Sequence, residues 1–205
     1  MYPDSEMTDS AKRESKSTVE RPPGKRERLV AAATQLLHEQ GIENTTLAHI
    51  AQAADVPVGN VYYYFKTKDE IIGAVVETHA REIADVTASL ERRHRTPKGR
   101  LKGLVGALVQ QGELITLHGC PVGTLCSELN KRSDGPDSTA AALMRTLIDW
   151  AEEQFRSMGR HNAHELAVDL IANYEGVALL TNTLRDPALL TSAGRRLERW
   201  IDSMD

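Results

Sequence analysis

Beyond residue 24, apolar positions recur three and four residues apart along nearly the whole chain, a spacing that predicts an all-α protein. Leu29, Val30, Ala33, Leu36 and Leu37 form one stripe on a helix from about Lys25 to Gln40. Gly41 ends that helix, and Ile42 is placed to fold back on Leu37 in a Schellman-type contact. Leu47, Ile50, Ala51 and Ala54 predict a second helix capped by Thr45 or Thr46. Asp55-Val56-Pro57 interrupts it, and a short helix follows from Val58 to Tyr64. Thr67-Lys68-Asp69-Glu70 has the form of a capping box. It opens a long helix to about Arg92, with Ile71, Ile72, Val75, Val76, Ile83 and Leu90 on one face. Arg95 to Gly99 reads as a break, and Leu101, Leu104, Val105, Leu108 and Val109 begin a helix running to about Leu117. His118 to Pro121 interrupts again, with Pro121 at the first position of a short helix carrying Val122, Leu125, Cys126 and Leu129. After a polar loop from Lys131 to Asp137, a helix spans Ser138 to Met158 and stops at Gly159. Asn162 and Glu165 make a cap for a helix from Ala163 to Leu184. Asp186-Pro187 opens the last helix, which carries Leu189, Leu190, Leu197, Trp200 and Ile201.

The segment from Thr45 to Phe65 organises the rest. Two helices joined by a tight turn make a helix-turn-helix, and the second is too short and polar for a core element. Val61 and Phe65, four apart, face the core, which leaves Val58, Gly59, Asn60, Tyr62 and Tyr63 toward a groove. Gly59 allows close backbone approach, and Asn60 can pair with adenine N6 and N7. Thr46 can touch a phosphate as well as cap its helix.

Read from Ile50 to Lys68, the run I-A-x-x-A-x-V-x-x-G-x-x-Y-x-Y-F-x-x-K resembles the DNA-binding domain of the tetracycline-repressor (TetR) family of transcriptional regulators. The match covers roughly Lys25 to Ile72, and the remainder agrees in being helical and of suitable length. Asp55 stands where the family usually has Gly, and Asp tolerates the left-handed conformation moderately well. Pro57 stands where it usually has a capping Ser, and supplies no hydroxyl. The resemblance implies that Tyr62 contacts DNA while Tyr64 and Lys68 meet phosphates. It further implies a three-helix DNA-binding domain over 25–70 and a helical effector-binding and dimerisation domain over 71–205. Within the latter, the two last helices, residues 163–204, form the homodimer, with Ala167, Ala172, Gly176 and Ala178 permitting close approach.

The net charge of -4 argues against nonspecific coating of nucleic acid, so positive charge is expected to be local. Residues 1–24 are polar and charged, with Lys12, Arg13, Lys16 and Arg21, and read as a disordered tail or as an arm beside the helix-turn-helix. No apolar run approaches the ~20 residues of a membrane span, and a cytoplasmic protein is expected. Two cysteines give neither a disulfide framework nor a zinc pattern, and no nucleophile–base pairing or metal-ligand spacing indicates an enzyme; no cofactor is expected.

Leu104, Leu108, Leu125, Leu129, Leu147, Trp150 and Phe155 are candidates to line an apolar cavity, with close-packed core as the alternative for each. Few aromatics favour a small or aliphatic effector. Cys120 sits at a helix start, where backbone N–H groups would lower its thiol pKa, with His118 nearby. Two functions follow: a dimeric regulator, chiefly a repressor, that leaves a palindromic operator when a small molecule binds, or one switched by redox or electrophile chemistry at Cys120.

Overall fold

The computed structural model describes residues 22–132 and 139–204, and the regular structure within them is helical throughout. The helices are α1 (Lys25–Asn44), α2 (Leu47–Ala53), α3 (Val58–Tyr64), α4 (Lys68–Arg93), α5 (Pro97–Val109), α6 (Gly112–His118), α7 (Pro121–Asn130), α8 (Thr139–Ser157), α9 (Ala163–Leu184) and α10 (Pro187–Asp202). The N-terminal arm with Lys12, Arg13, Lys16 and Arg21 lies outside the described residues, as does the loop over 133–138.

α1 has an end that it does not complete itself. Gly41 takes φ 79° with ψ 172°, which turns the chain outward instead of into the left-handed helical cap that a Schellman contact requires. The N–H of buried Ile42 donates to Glu128 of α7 at 2.5 Å. A Cβ at position 41 would meet that carboxylate at 2.7 Å, so both the positive φ and the close approach require glycine there. His38, one turn earlier, donates from Nε2 to the Gly119 carbonyl at 2.9 Å, just before α7. Thr45 is fully buried and gives its hydroxyl to the Gly41 carbonyl, leaving Thr46 to cap α2 by accepting from the His49 N–H at 3.1 Å.

α4 begins as its capping residues require, with one difference. Thr67 accepts from the Glu70 N–H at 3.2 Å, but the Glu70 carboxylate reaches past the cap to the N–H of Lys66, at 2.6 Å. The head and the body share this helix. Ile71, Ile72, Val75 and Val76 are buried in the same cluster as Leu29, Ile50 and Val61, and that cluster continues through Ile83 into Leu125, Cys126, Ala140 and Leu143. Apolar packing therefore runs unbroken from the helix-turn-helix to α7 and α8.

Two segments depart from the apolar pattern. Thr96-Pro97 starts a helix where the pattern indicated a break: Thr96 accepts from the Gly99 N–H, and Pro97, lacking an N–H, fits the first turn. The single helix expected to Leu117 is two, parted at Gln110–Gln111. Apolar spacing continues across that joint and gives no sign of it. The joint redirects α6 onto α9, α10 and α1, where Ile115 is fully buried. Arg185, in the left-handed conformation at the end of α9, completes α6 by donating to the Thr116 and Leu117 carbonyls, each at 2.7 Å. Asn162 occupies the N-cap position of α9, but its side chain makes no capping bond. Asp186 does cap α10, accepting from the Ala188 N–H at 2.9 Å.

Because Glu128 accepts from the N–H of buried Ile42, Glu128→Ala should destabilise the fold by about 1.5–3 kcal/mol, the usual worth of a hydrogen bond to a charged group. Urea unfolding at fixed protein concentration measures it. An unchanged midpoint would mean that water replaces the carboxylate freely.

Candidate nucleic-acid interface and effector cavity

The helix-turn-helix is set by backbone geometry at Asp55, which takes φ 50° between α2 and α3. An aspartate tolerates this region better than most residues. Arg28 of α1 holds the turn, its guanidinium 3.4 Å from the Asp55 carbonyl and 3.8 Å from the Asp55 carboxylate. Pro57 precedes α3 without a side-chain cap, and its carbonyl accepts from the Asn60 N–H at 2.8 Å.

α3 then divides by face. Val61 is fully buried and Phe65 nearly so, with the Arg26 guanidinium 5.3 Å from the Phe65 ring centre. Val58, Gly59, Tyr62 and Tyr63 are exposed and Asn60 is half-buried. Tyr63 is 78% exposed, and Val58 and Tyr62 on the same helix are 45% and 50% exposed. Gly59 has open space where a side chain would stand. Tyr64 is half-buried against the head core and meets Tyr63 edge to face at 5.0 Å. Lys68, in the first turn of α4, lies beside this face, as does exposed Lys66, whose ammonium holds the Tyr62 carbonyl. Thr46 is exposed, and its hydroxyl proton remains available after capping. Thr46, Val58, Gly59, Asn60, Tyr62, Tyr63, Tyr64 and Lys68 all belong to the α2–α3–α4 head, none of them fully buried, and remain the candidates for a nucleic-acid contact.

A second candidate site lies in the body. A cavity of about 130 Å³ is lined by His79, Glu82, Ile83 and Val86 of α4, Leu104, Ala107 and Leu108 of α5, and Gln111. Cys120, Pro121 and Val122 at the start of α7, Leu147 of α8, and Tyr174 and Glu175 of α9 complete it. Of the candidates from the sequence, Leu104, Leu108, Cys120 and Leu147 are in this lining. Leu125 and Leu129 are not, because they belong to the head cluster, on a helix that packs against α1 and α8. Phe155 is fully buried in a separate core, edge to face with Trp200 at 5.8 Å. Trp150 flanks that core and donates its Nε1 proton to Glu91.

The polar lining was not apparent in the sequence. His79 falls between Val75 and Ile83 at four-residue spacing, so its place on the buried stripe was the available signal. Its Nδ1 lies 2.9 Å from Glu82 Oε2. Tyr174 had the same signal, lying between Leu170 and Ala178 on the buried stripe of α9, but Glu175 had none, since neighbouring helices decide which polar residues beside that stripe turn inward.

Cys120 caps α7, accepting from the Gly123 N–H at 3.3 Å, which matches its expected place. Its expected acidity is reversed. Burial, and then the adjacent Glu175 charge, push the thiol up to about 12, outweighing the helix-start N–H. Sγ donates to Glu175 Oε1 at 3.2 Å and receives the Tyr174 hydroxyl at 3.8 Å. Cys126 is also raised, to about 11, by burial and by Glu175. Both cysteines are buried and free.

Comparison with known proteins agrees with this architecture. Residues 29–75 match the model of bacterial regulatory proteins of the tetR family, and residues 104–196 match the C-terminal domain of LmrA/YxaF-like transcriptional regulators. The HTH-type transcriptional repressor DhaR of Mycobacterium sp. (strain GP1) is 27% identical over 165 residues, covering 75% of this chain and 80% of DhaR. A TetR transcriptional regulator from Legionella pneumophila superposes with a TM-score of 0.77 at 21% identity, over 88% of this chain and 97% of that one. The reduced form of NemR from E. coli gives 0.73 at 21% identity, over 86% and 96%. The chain belongs to the TetR family of transcriptional regulators. Among the described residues, no helix is long and apolar enough to cross a membrane.

If the exposed face of α3 reads DNA, two substitutions should separate positioning from reading. Lys68→Ala should weaken binding to all sequences and lower the salt slope by about one unit, since a phosphate contact releases a counterion. Asn60→Ala should relax preference at one base position per half-site, by about 1 to 3 kcal/mol for a bidentate contact. Binding titrations across salt and across single-base operator variants measure both. An unchanged slope places Lys68 off the DNA, and uniform loss with Asn60→Ala rules out base reading.

Proposed function

We propose that this protein is a homodimeric repressor that binds a palindromic operator through α3 and leaves it when a small molecule occupies the α4–α5–α7–α9 cavity. One observation carries the reading. α4 supplies Ile71, Ile72 and Val75 to the core of the DNA-reading head and His79, Glu82, Ile83 and Val86 to the cavity wall, two turns further along the same rigid helix. α7 does likewise, bearing Pro121 and Val122 at the cavity and Glu128 against the end of α1. A ligand that bound preferentially with these helices spread would shift the heads. A differential of a few kcal/mol suffices.

The dimer is supported by the outer face of α9. Val168, Ala172, Gly176, Leu180 and Leu184 follow at four-residue intervals, and all are exposed, Leu184 by 63%. Ala167 and Ala178, by contrast, are buried within the protomer. A glycine in mid-helix costs about 0.5–1 kcal/mol relative to alanine, and Gly176 faces open space; close approach by a second copy is what would use it. Leu117 of α6, also exposed, widens the same apolar surface beside the end of α9. The likeness to DhaR, a repressor by name, supports the direction of regulation. Switching through Cys120 finds no such support, since a thiol held well above neutral pH supplies little thiolate.

Sequencing DNA retained by the purified protein from a random library should yield a two-fold symmetric site with half-sites spaced by helical turns. Gly176→Asp should leave a folded monomer that binds this site at least tenfold more weakly, because an unpaired charge in a packed interface is costly. Sedimentation and fluorescence anisotropy measure it. Absence of any common site ends the proposal; a Gly176→Asp protein that stays dimeric at micromolar concentration moves the interface elsewhere.

A further inference from the structure

The cavity has a one-sided charge. Glu82 and Glu175 stand in its wall, and no lysine or arginine lines it. Its one other ionisable nitrogen, on His79, is turned to Glu82. The remaining lining is chiefly aliphatic, with Ile83, Leu104 and Leu147 among it. Glu175 is held from behind by the Cys120 thiol, and its carboxylate occupies the space that a side chain at Gly123 would need. It has no cation as partner among the described residues, and burial raises its pKa, so the wall stabilises a carboxylate poorly unless a positive charge arrives. Glu175 and Cys120 also border an outer cleft of about 370 Å³ with Thr124, Ser127 and Asn182, and with the charged Glu128 and Lys131. Cys120 and Glu175 are therefore common to the walls of that cleft and of the cavity.

We infer that the effector is a small organic cation, an ammonium group on an aliphatic body about one ring in size, that seats its charge against Glu175. The inference rests on the reading of the cavity as the effector site. Glu82 already meets His79, but Glu175 meets only the Cys120 thiol; an anion would face that carboxylate without a cation opposite it, and a neutral apolar molecule would bring it no charge partner. An ammonium supplies that partner and donates hydrogen bonds to a carboxylate, the stronger charge-assisted kind. The size follows from the volume, about 130 Å³. That is close to the ~150 Å³ of an apolar cavity that takes up benzene.

Cyclohexylammonium, cyclohexanol and cyclohexanecarboxylate have similar bodies and differ chiefly in the head group, and each can be titrated into the full-length protein by calorimetry. The ammonium should bind at least tenfold more tightly than the alcohol, and the carboxylate more weakly than either. Glu175→Gln, which keeps an acceptor for the Cys120 thiol, should bring the ammonium to the level of the alcohol. Should that variant fail to give a cooperative melt, Glu82→Gln serves instead: its site is exposed, and it should lower the ratio of ammonium to alcohol affinity at least threefold. A carboxylate that binds as tightly as the ammonium, an ammonium that binds no better than the alcohol, or a folded variant with the parent's selectivity overturns the inference. Operator release by the same compounds separates it from the reading beneath it. Glu175-dependent ammonium binding that leaves operator affinity unchanged keeps the cation site and refutes the effector role. Release by the alcohol or carboxylate, but not by the ammonium, refutes the cation and keeps the effector role.

Discussion

The last turn of α1 depends on α7. Beyond the kink at Gly41, the Ile42 N–H finds its acceptor in Glu128, and His38 gives its proton to the carbonyl of Gly119 just ahead of the same helix. Burial, the largest influence on His38, pushes its pKa down, so the ring is held as a neutral donor in that contact. A buried donor left without an acceptor costs its full desolvation, so the head is tied to α7 by more than apolar contact. The arrangement of α7 and the position of the head are one property of the fold.

α4 is the second tie, and together the two explain why a cavity in the body bears on DNA. Ile71, Ile72, Val75 and Val76 belong to the head core, His79, Glu82 and Val86 to the cavity and Ile83 to both, all on the one continuous helix α4. A packed helix transmits displacement because closely packed interiors deform in discrete rearrangements. The cavity opens between α4 and the start of α7, the two elements that hold the head. Cys120 sits at that junction as a cap and a wall, and the low dielectric that suits it to packing is what deprives it of reactivity.

Most of the fold was legible in the residues. α9 runs from Ala163 to Leu184 and α7 begins at Pro121 as their apolar spacing and punctuation required, and Asp55 carries the positive φ that the turn needed. The joint at Gln110–Gln111 was not legible, because the turn there is set by where α6 can pack, while Leu108, Ile115 and the residues between keep helical spacing. At the candidate DNA surface, Val61 and Phe65 mark the buried side of α3 and so locate the exposed one. The cavity was half legible: Leu104, Leu108, Cys120 and Leu147 are there, whereas Phe155 packs on Trp200 of α10 and Trp150 is tied to Glu91 of α4 beside that second core. A stripe of apolar residues shows which face of a helix is inward but not which neighbour it meets. Polar residues such as Glu175 become visible only when three helices close around them.

Hydrogen exchange with and without operator DNA tests the coupling most directly, because it needs no effector and reports local opening along the backbone. If head and cavity share one equilibrium, operator binding should change exchange at His79 to Val86 in α4 and at Gly123 and Thr124 in the first turn of α7, as well as in α3. Changes confined to residues 25–70 would contradict the account, since the head would then engage DNA without any rearrangement of the cavity wall.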